Sequence, residues 1–392
     1  MNPDSTFEFF DLHISREEDS FIVGRQDTGV YISLPEPGVE AIHLLQEGKS
    51  LKEAEALLSE KYGEEITLGG LVEDFIDNGF IKSVDGTELE QSHEVIHYHF
   101  TWIKKSHVSW LFSRITVSFQ ILFILSGFSL LFSRGYIPAY SDLFFHPWYT
   151  VVGGITFVCA WLLTFKHEFY HLLAAKNYGV EGTFSFSHRL YFVVAETDLT
   201  NVYSLPRKQR YVVYFAGLLT DVMFMALCFW LRFLADIQVI HLGGLGYDLV
   251  NGLALMQLIQ ILWQFLFFMK TDIYYVFVTY FRTTDLLADT QRYIKERLYE
   301  YFNIFSKQDL SLISEREIKI IKYYSVFFLL GSCVTMAVFL FYLLPIMTEF
   351  LVGSVQGILY GTFAERTDGL VFISILVTYI VLMTRSMLKR EQ

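Results

Sequence analysis

The stretch Trp161–Gly179, WLLTFKHEFYHLLAAKNYG, decides how this chain is read. It is apolar enough to lie inside a membrane, yet it carries two histidines and a glutamate. An ionisable side chain in hydrocarbon is costly unless it is paired or liganded, so it marks function. The spelling His167-Glu168-x-x-His171 puts both imidazoles one turn apart on one helix face. About eighteen apolar residues precede His167, which at about 1.5 Å each places the motif toward the carboxyl-terminal end of a span.

Composition sets the frame. The chain has 392 residues, 53% hydrophobic and 17% aromatic, which is too apolar for an ordinary soluble enzyme and calls for several membrane spans. The formal charge of −12 is consistent with this, because the acids crowd into the amino-terminal region. Such an acidic region argues against nucleic acid and against docking on anionic lipid. Three cysteines, Cys159, Cys228 and Cys333, each sit in an apolar run and make neither a disulfide framework nor a cysteine-type zinc site. The amino terminus lacks a basic segment followed by an apolar one, so no cleaved signal peptide is expected and the first domain is expected in the cytosol.

Residues 1–85 read as a small soluble domain. SFIVGRQDTGVYISL alternates around Asp27-Thr28-Gly29 as a β-hairpin, Phe21–Leu34. Three short helical stretches follow, with Ser50 as an N-cap and Gly48, Gly63 and Gly79 as stops, and FIKSV closes the domain as a strand. The predicted fold is an α-helical multi-span membrane protein carrying a small amino-terminal α+β, winged-helix-like cytosolic domain. A linker or interfacial segment, 86–114, leads into the membrane domain, 115–392.

In that domain roughly six apolar runs are long enough to cross a bilayer core of about 30 Å: Ile115–Ser133, Trp148–Asn177, Arg210–Ala235, Leu249–Phe281, Tyr323–Leu344 and Asp368–Leu388. Basic residues gather before the first run, between the second and third, between the fourth and fifth, and at the end (Lys389, Arg390). The intervening loops, among them PIMTEFLVGSVQG, have almost none. The positive-inside rule then predicts a multi-pass protein of the plasma membrane with both termini cytosolic. TFSFSHRLYFVVAETDL, around Phe184–Val194, alternates as a hairpin or strand at the membrane surface, and LLADTQRYIKERLYEYF is spaced as an amphipathic surface helix.

His-Glu-x-x-His is the arrangement in which two neutral imidazoles bind Zn²⁺ and the glutamate between them acts as general base. Five-letter matches arise by chance in soluble chains. Here chance would have to bury Glu168 beside two histidines with no partner. A catalytic zinc needs a third protein ligand, and the acids within the spans are Asp221 and Asp272. Each lies about ten residues from its cytosolic helix end, so depth leaves the two tied.

The segment from the second to the fourth run resembles the site-2 protease class of intramembrane zinc metallopeptidases, the M50 peptidases. KTDIYY is similar to the family's LDGYY motif, with Ile273 in place of the glycine. The resemblance implies Asp272 as third ligand beside His167 and His171, with Glu168 catalytic. RYVVYFAGLLTD resembles the family's Ala-Gly segment, with Asp221 where many members carry Asn or another polar residue. Gln264 matches a polar position near the substrate, an oxyanion or backbone donor. Its alternative role is an interhelical hydrogen bond shared with Gln257 and Gln260.

The first eighty or so residues resemble PqqD-like precursor-recognition domains, in element order and apolar pattern. Those domains bind the leader of a ribosomally made, modified peptide by strand addition. The two resemblances imply a Zn²⁺ endopeptidase that processes a precursor peptide, with a co-encoded modifying enzyme or transporter as further partner and the lipid bilayer as its setting. The rivals are a non-proteolytic zinc-binding exporter or immunity partner, and a site-2-type regulatory protease of a membrane-anchored substrate. Glu168 argues against the first, since binding zinc does not need it. The acidic first domain favours a peptide over the second.

Overall fold

The computed structural model describes residues 2–388 apart from 18–19, 91–92, 190–191, 267–269, 284–285, 311–312 and 314. Lys389 and Arg390, which closed the charge argument, therefore lie outside the described residues. The chain is mostly helical with a small strand-rich amino-terminal region. It divides into two compact units: residues 1–108, 172–185 and 197–213 form one, and residues 109–171, 186–196 and 214–392 the other.

In the first unit the strands are β1 (Phe7–Phe9), β2 (His13–Glu17), β3 (Ser20–Arg25) and β4 (Val30–Leu34). Helices α1 (Glu36–Gln46), α2 (Leu51–Tyr62) and α3 (Gly69–Asp77) come next, then β5 (Ile81–Val84) and the short β6 (Thr87–Glu88). The expected hairpin is present, with Arg25 opposite Val30 and Gly29 at φ +71°. That positive φ suits glycine in the turn. Three strands were not expected: β2 pairs antiparallel with β3 on the side away from β4, β1 pairs with β5, and the short β6 pairs with the other side of β5. β3 is thus the central strand and has no free edge, which leaves the outer edges to β2 and β4.

Helix α2 begins with a reciprocal capping box. The Glu53 N–H donates to Ser50 Oγ (3.3 Å) and the Ser50 N–H to Glu53 Oε2 (3.1 Å), and the helix ends on a left-handed Gly63. Val23, Ile42, Leu45, Leu58, Val72, Phe75 and Phe80 fill the core between sheet and helices. Burying each such side chain is worth about 1.5–3 kcal/mol. The short α4 (Lys105–Val108) ends the first stretch of this unit.

The remaining elements are α5 (Arg114–Arg134), α6 (Tyr149–Asn177), the two-stranded sheet of β7 (Thr183–Arg189) and β8 (Phe192–Asp198), α7 (Arg207–Asp236) and α8 (Gly243–Trp263). Then come α9 (Asp272–Phe281), α10 (Leu286–Phe302), α11 (Glu315–Val338), α12 (Leu344–Tyr360) and α13 (Phe363–Leu388). The strand expected at Phe184–Val194 corresponds to this sheet, with Leu190 and Tyr191 outside the described residues.

Among the described residues five helical segments are long and apolar enough to cross a membrane: α5, α6, α7, α8 and the continuous α11–α12. Ile115, Phe119, Leu122, Leu125 and Phe132 of α5 are exposed, a face that suits an apolar solvent. On its inner side Gly127 lies so near α7 that a Cβ there would come within 2.6 Å of the Ala226 Cβ. Small residues of this kind let helices approach closely.

Two expectations are corrected. The run Leu249–Phe281 is not one span: α8 stops at Trp263 and α9 starts at Asp272, with Lys270 in a left-handed conformation (φ +51°) between them. Hydropathy is blind to such a break, because the run stays apolar through it. Second, PIMTEFLVGSVQG is helix α12, not a loop. Its proline, Pro345, lies in the first turn of α12. A turn of wider π-helix, Phe339–Leu343, joins α11 to α12. The joined segment of 46 residues is roughly 69 Å long at about 1.5 Å per residue. That is more than twice a bilayer core of about 30 Å, so it cannot lie upright within one.

Candidate metal centre

Three helices and one helix amino terminus assemble the site. α6 brings His167 and His171 to one face, as the four-residue spacing requires. Their ring centroids are 4.8 Å apart and both side chains are buried. The break between α8 and α9 brings Asp272, the first residue of α9, against them. Asp272 Oδ2 lies 2.9 Å from His167 Nε2 and 3.1 Å from His171 Nε2, and the two Nε2 atoms are 3.2 Å apart. Ligand atoms of these three residues all lie within 4.8 Å of one another.

Three neutral or anionic donors converging from two elements are a set that can hold a divalent cation. The room for one comes from Gly217 on α7. A Cβ built there would stand 2.3 Å from His171 Nε2 and 2.6 Å from His167 Nε2. Zinc–nitrogen bonds are about 2.0–2.1 Å, so the missing side chain leaves space at nearly the bonding distance from both nitrogens. The donor set and this cradle fit a zinc-sized ion.

The other nitrogen of His167 is held as well. Nδ1 lies 2.7 Å from Asp221 Oδ2, and Asp221 is fully buried. Depth in the sequence could not separate the two aspartates, but geometry does. Asp272 faces both Nε2 atoms, and Asp221 faces the far side of one ring. Lys166 Nζ in turn donates to Asp221 Oδ1 (2.9 Å), Gln257 Oε1 (2.8 Å) and the Thr220 carbonyl (3.3 Å).

Gln264 ends α8 with its side chain at the same place. Its Nε2 is 3.3 Å from His167 Nε2, and its Oε1 accepts the Asp272 N–H (3.2 Å). The Thr271 hydroxyl donates to the Gln264 carbonyl (2.7 Å), which closes the break between the helices. Gln257 and Gln260 lie on the same α8 face toward α6: Gln257 receives Lys166, and Gln260 Nε2 is 3.5 Å from the Leu163 carbonyl. Glu168 is half-buried on α6 between the two histidines in sequence. One turn earlier, Phe186 of β7 packs on Trp161 and Phe165 at centroid distances of 5.8 and 6.4 Å, which sets a strand beside this helix.

Sequence reasoning missed Lys166, and it met Gly217 only as part of the Ala-Gly resemblance, with no role given to it. Both carried a signal: a lysine inside an apolar run needs a partner, and a glycine inside a helix costs about 1 kcal/mol relative to alanine and needs a reason. Comparison with known proteins adds no name to this geometry: no family model, no curated protein and no solved structure matches the chain.

Proposed function

We propose that the chain is a membrane-embedded zinc metallopeptidase of the site-2 protease type, in which His167, His171 and Asp272 hold the ion. The observation that carries the reading is the convergence of the two Nε2 atoms and Asp272 Oδ2 beside the space left by Gly217. A zinc ion there would supply Lewis acidity, lowering the pKa of a water toward 7 and polarising a peptide carbonyl. Glu168 takes the proton of the attacking water and passes it to the leaving amine. Gln264 keeps Asp272 in place through the backbone N–H of that residue. An extended substrate segment can pair with the strand carrying Phe186, since a membrane helix must unwind before its carbonyls are open to attack. Five apolar helical segments support a multi-pass membrane protein, and the basic residues before α5 support a cytosolic amino terminus.

We assign a precursor peptide as substrate, recognised by a winged-helix-like first unit through strand addition at a free sheet edge. The edge available is the outer side of β2 or β4, because β3 is interior. The carboxylate of Glu17 is not available to a basic leader, because Arg207 and Arg210 hold it.

The test uses the detergent-purified full chain and a co-encoded precursor peptide, with cleavage followed by mass spectrometry. The wild type should carry one zinc; H167A and D272A should lose it. E168Q should keep the metal and lose about 10²- to 10⁴-fold in kcat with little change in KM. Cleavage by E168Q at the wild-type rate would sink the peptidase reading.

A further inference from the structure

The clearest feature that the peptidase reading does not use is the buried chain of contacts behind His167. We infer that Asp221 and Lys166 form a charge-compensated positioning pair. Asp221 accepts the His167 Nδ1–H and so turns the Nε2 lone pair toward the metal, and Lys166 holds Asp221 in place. The inference rests on the metallopeptidase reading above and assigns two residues to that site.

The geometry is specific. Asp221 uses one carboxylate oxygen for each partner, Oδ2 toward His167 (2.7 Å) and Oδ1 toward Lys166 (2.9 Å). It is 0% exposed, so water cannot satisfy either oxygen. A buried ionised carboxylate is tolerated only when it is paired and fully hydrogen-bonded. Lys166 meets both conditions, and its own remaining protons go to Gln257 Oε1 and the Thr220 carbonyl. With the lysine donating to Oδ1, Oδ2 faces Nδ1 as acceptor, which puts the hydrogen on Nδ1 and leaves Nε2 as the ligand atom. Outer carboxylates of this kind orient a metal-binding histidine and raise its basicity.

The experiment measures zinc affinity by chelator competition, and thermal unfolding of the metal-stripped protein, on the detergent-purified full chain. D221A should weaken zinc binding about 10- to 100-fold. D221N, whose amide oxygen can still accept from Nδ1–H, should weaken it less. K166M should lower the Tm of the metal-free protein, because it strands a buried carboxylate. The double variant K166M/D221N should regain that Tm while its zinc affinity stays at the level of D221N. A packing role alone would not separate the two readouts. Zinc affinity in D221N and D221A equal to the wild type would overturn the inference and leave the peptidase reading standing. An unchanged Tm in K166M would remove the lysine from it. A wild type that binds no zinc would overturn the peptidase reading itself.

Discussion

Gly217 and His171 stand so close that a methyl group at position 217 would lie 2.3 Å from His171 Nε2. The same carbon would lie 2.6 Å from His167 Nε2, so it would fill the space between both nitrogens. The neighbours are imidazole rings fixed by burial, not the loose ends of flexible side chains, and they cannot yield cheaply. Alanine is also the better helix former, by about 1 kcal/mol. G217A is therefore expected to carry no zinc and to unfold at a lower temperature than the wild type, because the clash outweighs the gain in helix propensity. Elemental analysis beside a thermal unfolding curve checks both halves, and a full complement of zinc in folded G217A would remove the cradle from the site.

How much of this was legible in the sequence depends on what each feature needs. The spacing of His167 and His171 and the Ser50 N-cap are local, and a local reading of the sequence shows them. The break before Asp272 was hidden, because the run stays apolar on both sides of it and the left-handed backbone at Lys270 leaves no mark on hydropathy. Helix α12 was hidden for the opposite reason: a proline and a stretch without basic residues imitate a loop, while the packing of α12 against α13 keeps it helical. β1 and β2 are short strands whose partners are fixed by tertiary contacts, so alternation alone could not find them. The two aspartates were equivalent by depth. They differ only in which face of His167 they meet, and that is set by helix rotation.

In the first unit, acid should act through Asp27. The Arg25 guanidinium donates to both of its carboxylate oxygens and holds its pKa below the usual carboxylate value. Arg25 is itself buried, donates to the Gly79 carbonyl (2.6 Å) and lies over the Phe10 ring at 3.6 Å. Because the folded pKa is depressed, the contribution to stability is complete above the unfolded value of about 3.9. It is lost as pH falls through the folded value. D27N should therefore destabilise at neutral pH by about 1 kcal/mol, a modest figure because Asp27 is partly solvated. It should also show a shallower fall of stability below about pH 4 than the wild type. Parallel acid slopes in thermal unfolding would show that the pair does not contribute.

Glu17 on β2 ties the sheet to the segment that enters α7. Its Oε2 accepts from Arg207 Nη2 at 2.8 Å and its Oε1 lies 2.5 Å from Arg210 Nη2, with the Glu17 side chain only 10% exposed. Nearby, the Tyr31 hydroxyl donates to Asn201 Oδ1 (2.8 Å), and His13 Nε2 lies 3.0 Å from the Ser204 carbonyl. Arg210 also donates to the carbonyls of Leu205 and Tyr203, so removing Glu17 leaves it partly satisfied but short of its counter-charge. E17A should cost about 3 kcal/mol or somewhat less, since a buried ion is left without its partner. Hydrogen exchange should quicken over residues 197–210 before it does in α1–α3. Unchanged exchange there would mean that the hydrogen bonds of Asn201 and Ser204 suffice to hold the segment.

Helix α6 begins without a capping side chain of its own at Trp148, and Asp368 of α13 supplies one from elsewhere in the chain. Its Oδ2 accepts the Tyr149 N–H (2.7 Å) and its Oδ1 the Thr150 N–H (3.0 Å), while the Thr150 hydroxyl donates to the Asp368 carbonyl (3.1 Å). A helix amino terminus leaves four N–H groups unpaired and carries partial positive charge, so a carboxylate there gains on both counts. D368A should therefore destabilise by about 1 kcal/mol, with roughly 2 kcal/mol as the upper end for a well-formed cap. D368N keeps one acceptor and loses the charge, and should fall between D368A and the wild type. The cap lies about 27 Å along α6 from His167 at about 1.5 Å per residue, so zinc content should not change in either variant. Thermal unfolding with zinc analysis separates the two effects. A wild-type Tm in D368A would mean that solvent or lipid headgroups satisfy the α6 amino terminus instead.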